Sequence, residues 1–215
     1  MDDLLAEISK LDWNDLPAVT AASDTLLTRL DTERDLLRGL VDGALADPNL
    51  LRLCEHYDIL DKIVIHDDPT GWRLRLHVFL PGYFDRPHNH RWSYVSRILH
   101  GSYTHTLYGT EDLLGDTIDP ATLIPRMIRT EQPGDTYTLH HTMIHSVVAE
   151  PHTTSLIVRG PAVKDRFVVT DRHTGQAWWQ YGAASEDPIE AARKRMTDEQ
   201  AAASVRHLTE LGLLS

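Results

Sequence analysis

The sequence predicts a mainly β chain: a jelly-roll barrel of two sheets, with N-terminal helices before it and C-terminal helices after it. Three observations predict this. Leucines recur every three to four residues through the first third of the chain. From Asp61 onward the pattern becomes short β-branched and aromatic runs cut by Gly, Pro and Asp. After Gly182 the composition turns to Ala, Glu and Arg. A chain of 215 residues with 41% hydrophobic content can bury a full core, so one globular domain in three segments is expected: residues 1–57 helical, 58–182 barrel and 183–215 helical.

Each element follows in order. Leu4, Leu5 and Ile8, then Leu26, Leu27 and Leu30, then Leu36, Leu37 and Leu40 each place apolar side chains on one helical face. Asp31 and Asp47 are plausible helix starts or breaks, and Pro48 suits a first helical turn, so the helical prefix should end near Tyr57. Strands are expected over residues 62–66, 72–80, 92–99, 102–108, 123–130, 136–139, 146–149, 155–159 and 166–170. So many short strands with turns between them favour closure into a barrel, which hides sheet edges. His100-Gly101 reads as a two-residue hairpin turn, which would set Ser96 against His105 and Tyr94 against Leu107. The segment Gln176 to Tyr181, with Trp178 and Trp179, reads as core packing of the last strand, and Trp13, Trp72 and Trp92 read as structural. Asp187-Pro188 opens a helix over residues 189–196, and a second covers 198–211.

Composition removes several function classes. A net charge of −11 offers no concentration of Lys and Arg for a phosphate backbone, so no nucleic-acid partner is expected. Met1-Asp2-Asp3 is not a cationic leader, and no apolar run approaches the roughly 20 residues of a membrane span. No membrane association and a cytoplasmic location are therefore expected. Cys54 is the single cysteine, which excludes an intrachain disulfide and a thiolate metal cluster.

Chemistry concentrates between residues 82 and 145. Gly82 is followed by His88, His90 and Gly101, and later by Gly134 and His145. On an extended strand His88 and His90, two residues apart, point to the same side, where one metal ion can take both. Neutral imidazoles suit Fe, Zn, Ni and Cu.

Gly82, His88, His90 and Gly101 occupy the glycine and histidine places of the motif G(x)5HxH(x)3-4E(x)6G, with Tyr94 where the glutamate belongs, and Gly134 and His145 meet G(x)5PxG(x)2H(x)3N. These spacings resemble the cupin superfamily. The resemblance implies a cupin double-stranded β-helix and metal ligation by His88, His90 and His145, without the glutamate. Three-histidine cupins look like the cysteine dioxygenase and related thiol dioxygenases. The segments 155–161 and 170–175 are similar to theirs, and the likeness covers roughly residues 60–180. It implies Fe(II), with Zn(II), Ni(II) or Mn(II) as alternatives, and a small-molecule substrate together with dioxygen. It breaks at four places. The family's cross-linked cysteine and tyrosine correspond to Tyr94 and Arg159, its supporting histidine to Ile157, and its carboxylate-binding arginine falls near Lys62.

Further site residues follow from residue chemistry. Arg159 could grip a substrate carboxylate through two N–H groups. Tyr94 could donate a hydrogen bond to a bound group. His105 is expected to support a ligand histidine, with Asp85, Asp135 or Glu150 as the carboxylate that receives a ring N–H. His140 is a candidate pocket residue, His141 an exposed one, and Glu111-Asp112 a pair of solvated loop charges. An Fe(II) dioxygenase on a small carboxylated or thiol-bearing substrate is thus the leading expectation. The alternatives are a non-redox zinc lyase, isomerase or cyclase, and a barrel that only binds. A homodimer joined through sheet edges is an open expectation.

Overall fold

The leucine periodicity becomes four helices: α1 (Asp2–Ile8), α2 (Leu16–Thr32), α3 (Arg34–Ala46) and α4 (Pro48–Leu51). The computed structural model describes every residue except 83–85, 112–118, 183–184, 186 and 215. Asp15 and Asp47 cap α2 and α4 by accepting backbone N–H bonds, with a proline in the first turn of each. Leu26, Leu27, Leu30, Leu37 and Val41 are fully buried. The helical prefix stops earlier than expected, because residues 55–57 form an edge strand, β1 (Glu55–Tyr57). β1 turns tightly into β2 (Leu60–Asp67), with Tyr57 opposite Leu60. Three residues carry too little pattern to announce a strand.

The barrel continues through β3 (Arg73–Phe79), β4 (Tyr94–His100), β5 (Tyr103–Thr110), β6 (Met127–Glu131), β7 (Thr136–Leu139), β8 (Met143–Ala149), β9 (Thr154–Arg159), β10 (Arg166–Asp171) and β11 (Gln176–Tyr181). One sheet has the order β1-β2-β3-β9-β4-β7, all antiparallel. The other has β6-β5-β8, and His88 bridges β8 at His145 and β10 at Val169, which brings in the β10–β11 pair. This mainly β, two-sheet antiparallel arrangement with helices at both ends is that of a jelly-roll.

Several element limits move for stated reasons. β6 begins at Met127 rather than residue 123, since Asp119 caps a short 3-10 turn at Pro120–Thr122 and Pro125 lacks an N–H for a ladder. β8 begins at Met143 and includes His145, whose backbone exchanges two hydrogen bonds with His88. The His100-Gly101 hairpin does not form: β4 and β5 belong to different sheets, so the chain crosses between layers there. Gly101 turns that corner at φ +70°, and a Cβ on it would lie 2.5 Å from Thr153 Oγ1. β11 pairs only with β10, and Trp178, Trp179 and Tyr181 are 39–44% exposed, so the tail aromatics are not core. The chain ends with α5 (Pro188–Lys194) and α6 (Asp198–Glu210), the latter opened by a reciprocal capping box between Thr197 and Gln200. Among the described residues no helix is long and apolar enough to cross a membrane.

The layering decides which strand face is the inside. β3, Arg73-Leu-Arg-Leu-His-Val-Phe79, alternates charged and apolar residues. Leu74, Leu76 and Val78 join Val95, Leu156 and Val158 in one core with Leu26, Leu27, Leu30 and Leu37 of the helices. The helices therefore cover the sheet's apolar outer face, and Arg73, Arg75 and His77 point into the barrel. A second core, containing Phe79, Tyr94, Ile98, Tyr103, Tyr137, Leu139, Val147 and Ile157, fills the barrel's other end.

Candidate metal centre

Two segments bring the three imidazoles together. β8 carries His145 on its inner face, and the 87–90 segment, held to β8 and β10 by backbone bonds, carries His88 and His90. Asn89 between them is fully buried. Its Oδ1 accepts from Val168 N–H at 2.9 Å, and its Nδ2 donates to Glu111 Oε2 at 2.5 Å. Lys164 completes this staple by donating to Glu111 at 2.6 Å and to the His141 carbonyl at 3.1 Å. Glu111 is thus a structural anchor rather than a solvated loop charge. Asp112 lies outside the described residues.

One candidate ligating atom from each of His88, His90 and His145 falls within 4.8 Å of the others, and the His90 and His145 Nε2 atoms are 2.8 Å apart. Hydrogen bonds orient the lone pairs inward. His88 Nδ1 donates to the Arg86 carbonyl at 2.8 Å, which puts the ring's lone pair on Nε2. His145 Nδ1 donates to His105 Nε2 at 3.0 Å, and His105 Nδ1 donates to Glu131 Oε1 at 2.9 Å. A carboxylate at the end of this relay fixes both tautomers, and His145 Nε2 keeps its lone pair. Burial, reinforced by His88 and by neighbouring cationic or imidazole groups, holds His90 and His145 well below the ordinary histidine value, so both stay neutral. Burial alone would raise Glu131, but hydrogen bonds from His105 and Arg129 outweigh it and keep the carboxylate ionised. Neutral nitrogen donors facing one another at contact distance fit a divalent cation.

Glu131 takes the place expected of Asp85, Asp135 or Glu150. Asp85 lies outside the described residues, and Asp135 instead accepts from the Gln132 N–H. The sequence signal for Glu131 is faint: it ends β6 opposite Tyr103, and only the β5–β6 register brings it near His105.

The other expected site residues are placed as follows. Tyr94 is 4% exposed, its ring edge-on to His90 at 5.1 Å and its hydroxyl 3.5 Å from that of Tyr137, which meets Tyr103 at 2.5 Å. Arg159 is directly opposite Tyr94 across the β4–β9 ladder. Its Nη1 is used by the carbonyls of Gly71 and Gly160, at 3.0 and 2.9 Å. One edge of the group expected to clamp a substrate is therefore engaged by backbone, while its Nε is buried without a hydrogen-bond partner. Burial, with Arg75 and Arg73 close by, lowers Arg159 from the ordinary arginine value. Lys62 faces the interior opposite His77 and pairs with Glu55 at 3.4 Å. His140 stays outside the cluster, bonded to Thr142 at 2.8 Å and tilted against the ring of the half-buried His141 at 4.0 Å. Trp92 does more than pack: its indole stacks on His90 at 4.7 Å, with the Arg159 and Arg75 guanidiniums 5.6 and 5.9 Å from its centre.

No family model and no curated protein matches the sequence. Among solved structures, the chain is similar to KdgF from Halomonas sp., with TM-score 0.39, 19% identity, and coverage of 50% of this chain and 86% of that one. It is similar to an RmlC-like cupin from Shewanella frigidimarina at TM-score 0.40 and 18% identity, covering 52% and 86%. The DMSP lyase DddQ from Ruegeria pomeroyi aligns at TM-score 0.39 and 12% identity, covering 51% of each.

Proposed function

We propose that the chain is a mononuclear metal enzyme, an Fe(II)-dependent dioxygenase of a small carboxylated or thiol-bearing substrate. The observation that carries this reading is a cluster of three imidazoles, His88, His90 and His145, with no carboxylate in the set among the described residues. Bound there, Fe(II) would keep its full double charge and offer open positions for an anionic chelating substrate and dioxygen. The chain's own residues supply the rest. Glu131 and His105 would hold the His145 lone pair toward the ion, and the Arg86 carbonyl would do the same for His88. Tyr94 presents an aromatic edge to His90 and belongs to a chain of three tyrosine hydroxyls that can hold a proton away from bulk water. Trp92 screens His90 from solvent on its other face.

The test is anaerobic reconstitution with Fe(II), then oxygen uptake over a panel of small thiols and carboxylates. Uptake proportional to substrate consumed, and lost in His88→Ala, His90→Ala and His145→Ala, is the expected result. Turnover that survives strict anaerobiosis with Zn(II) would instead establish a Lewis-acid enzyme and reject the oxygenase.

A further inference from the structure

We propose that Arg75, flanked by His77 and Lys62, forms an anion-binding wall inside the barrel and receives the carboxylate of the substrate. The proposal rests on the metal-enzyme reading for the substrate's reacting end, but the wall itself stands on separate observations.

The first is register. Across β2, β3 and β9, Lys62 is opposite His77, and His77 is opposite Ser155. In the adjoining rows Arg75 is opposite Ile157, and Arg73 is opposite Arg159, which is opposite Tyr94. Residues directly opposite one another share a sheet face, and Ile157 and Tyr94 belong to the barrel's inner core. Lys62, Arg75 and His77 are half-buried although the helices cover the other face, so each keeps some solvent access on the barrel side.

The second is hydrogen bonding. Arg73 is held by Asp67, Lys62 by Glu55, and Arg159 by two carbonyls at Nη1, although its Nε is buried without a partner. The Arg75 side chain makes no hydrogen bond among the described residues, and its Nε is buried without a partner. His77 Nε2 and Ser155 Oγ, in the neighbouring row, are buried without partners too. Orphaned donors gathered on one face are what a polar ligand would satisfy.

The third is charge. Among the described residues, the ion pairs of Arg73, Arg75, Arg159 and Lys62 involve two carboxylates, Asp67 and Glu55. A guanidinium keeps its proton, so an excess of buried positive charge is relieved by an incoming anion. Its planar fork fits a carboxylate. The fourth is placement: the Trp92 indole lies against both Arg75 and the ligand histidine His90. The guanidinium and the imidazole cluster are therefore neighbours of one indole ring.

The test uses the full chain stripped of metal with a chelator and titrated calorimetrically with propionate and with its neutral amide. Propionate should bind and propionamide should be at least about tenfold weaker, because the charge-assisted bonds are lost. Arg75→Gln should weaken propionate by about 10- to 100-fold, while Arg75→Lys recovers part of the loss. The ligand-free melting temperature of Arg75→Gln should be unchanged or higher, since an unpaired buried charge is removed. Equal affinity for propionate and its amide, no propionate binding to the wild type, or wild-type affinity in Arg75→Gln overturns the wall. Arg75-dependent propionate binding in a protein that consumes no oxygen keeps the wall and rejects the dioxygenase. Oxygen uptake with an unchanged KM in Arg75→Gln does the reverse.

Discussion

Glu131→Gln removes a charge from the far end of the relay while keeping its shape. Glu131 is 2% exposed and accepts from His105 Nδ1 at 2.9 Å, while His105 Nε2 receives the His145 Nδ1–H at 3.0 Å. A hydrogen bond to a charged group is worth about 1 kcal/mol more than one between neutral groups. Partners that hold a ligand histidine change metal affinity by about 10- to 100-fold when removed. Glu131→Gln should therefore weaken Zn(II) or Co(II) by about tenfold, since the amide oxygen can still accept from His105. His105→Phe should lie nearer the hundredfold end, because it leaves the His145 Nδ1–H without an acceptor in a site only 4% exposed. Competition against a chromogenic chelator at fixed pH measures both affinities, and circular dichroism confirms that the variants fold. Affinities within twofold of wild type in both variants would refute the relay as the device that presents His145.

The corner and the titration behaviour give two further tests. Gly101→Ala places a Cβ 2.5 Å from Thr153 Oγ1 and 2.8 Å from its Cα, at φ +70°, and should cost about 2 kcal/mol or more by denaturant unfolding; a loss below about 0.5 kcal/mol would show that the corner relaxes freely. The metal-free protein should be most stable above pH 6.5, the ordinary histidine value, because His90 and His145 are held well below it in the fold. As pH falls below 6.5 the unfolded chain takes up protons that the folded chain refuses, so stability drops by about 1.4 kcal/mol per pH unit for each group until its folded value is reached. A melting temperature that rises between pH 6.5 and 5.5 contradicts those shifts.

Much of this architecture was legible because it is written in periodicity and spacing. Leu26, Leu27 and Leu30 recur at helical intervals, and all three are fully buried. The histidine spacing singles out the three rings that converge. What was not legible depends on which face of a strand is covered. Arg73, Arg75 and His77 alternate with Leu74, Leu76 and Val78 in the manner of a strand with its polar side in water. Only the packing of α2 and α3 on the apolar side turns that polar face inward. Glu131 was invisible for a related reason, since its partner His105 is reached through strand pairing and nothing local marks it. The supposed hairpin at Gly101 failed because a turn signal fixes a reversal of the chain, but not whether the next strand returns to the same sheet.

Tyr94 and Arg159 belong to one physical change. They are direct cross-strand neighbours, and Tyr94 stands edge-on to His90. A carboxylate at position 94 would meet both the ion and the buried guanidinium, neutralising part of each. With tyrosine there, Arg159 turns to the carbonyls of Gly71 and Gly160 instead. Among the described residues a bound dication would then have no anionic protein ligand, and the Arg75 side chain, opposite Ile157, has no hydrogen-bond partner either. Both deficits border Trp92, and a single bound anion near that ring would lower the electrostatic cost of both. Selectivity for charge would thus precede selectivity for shape: a neutral isostere leaves the Arg75 donors unsatisfied and loses more than the same molecule loses by having one methylene too few.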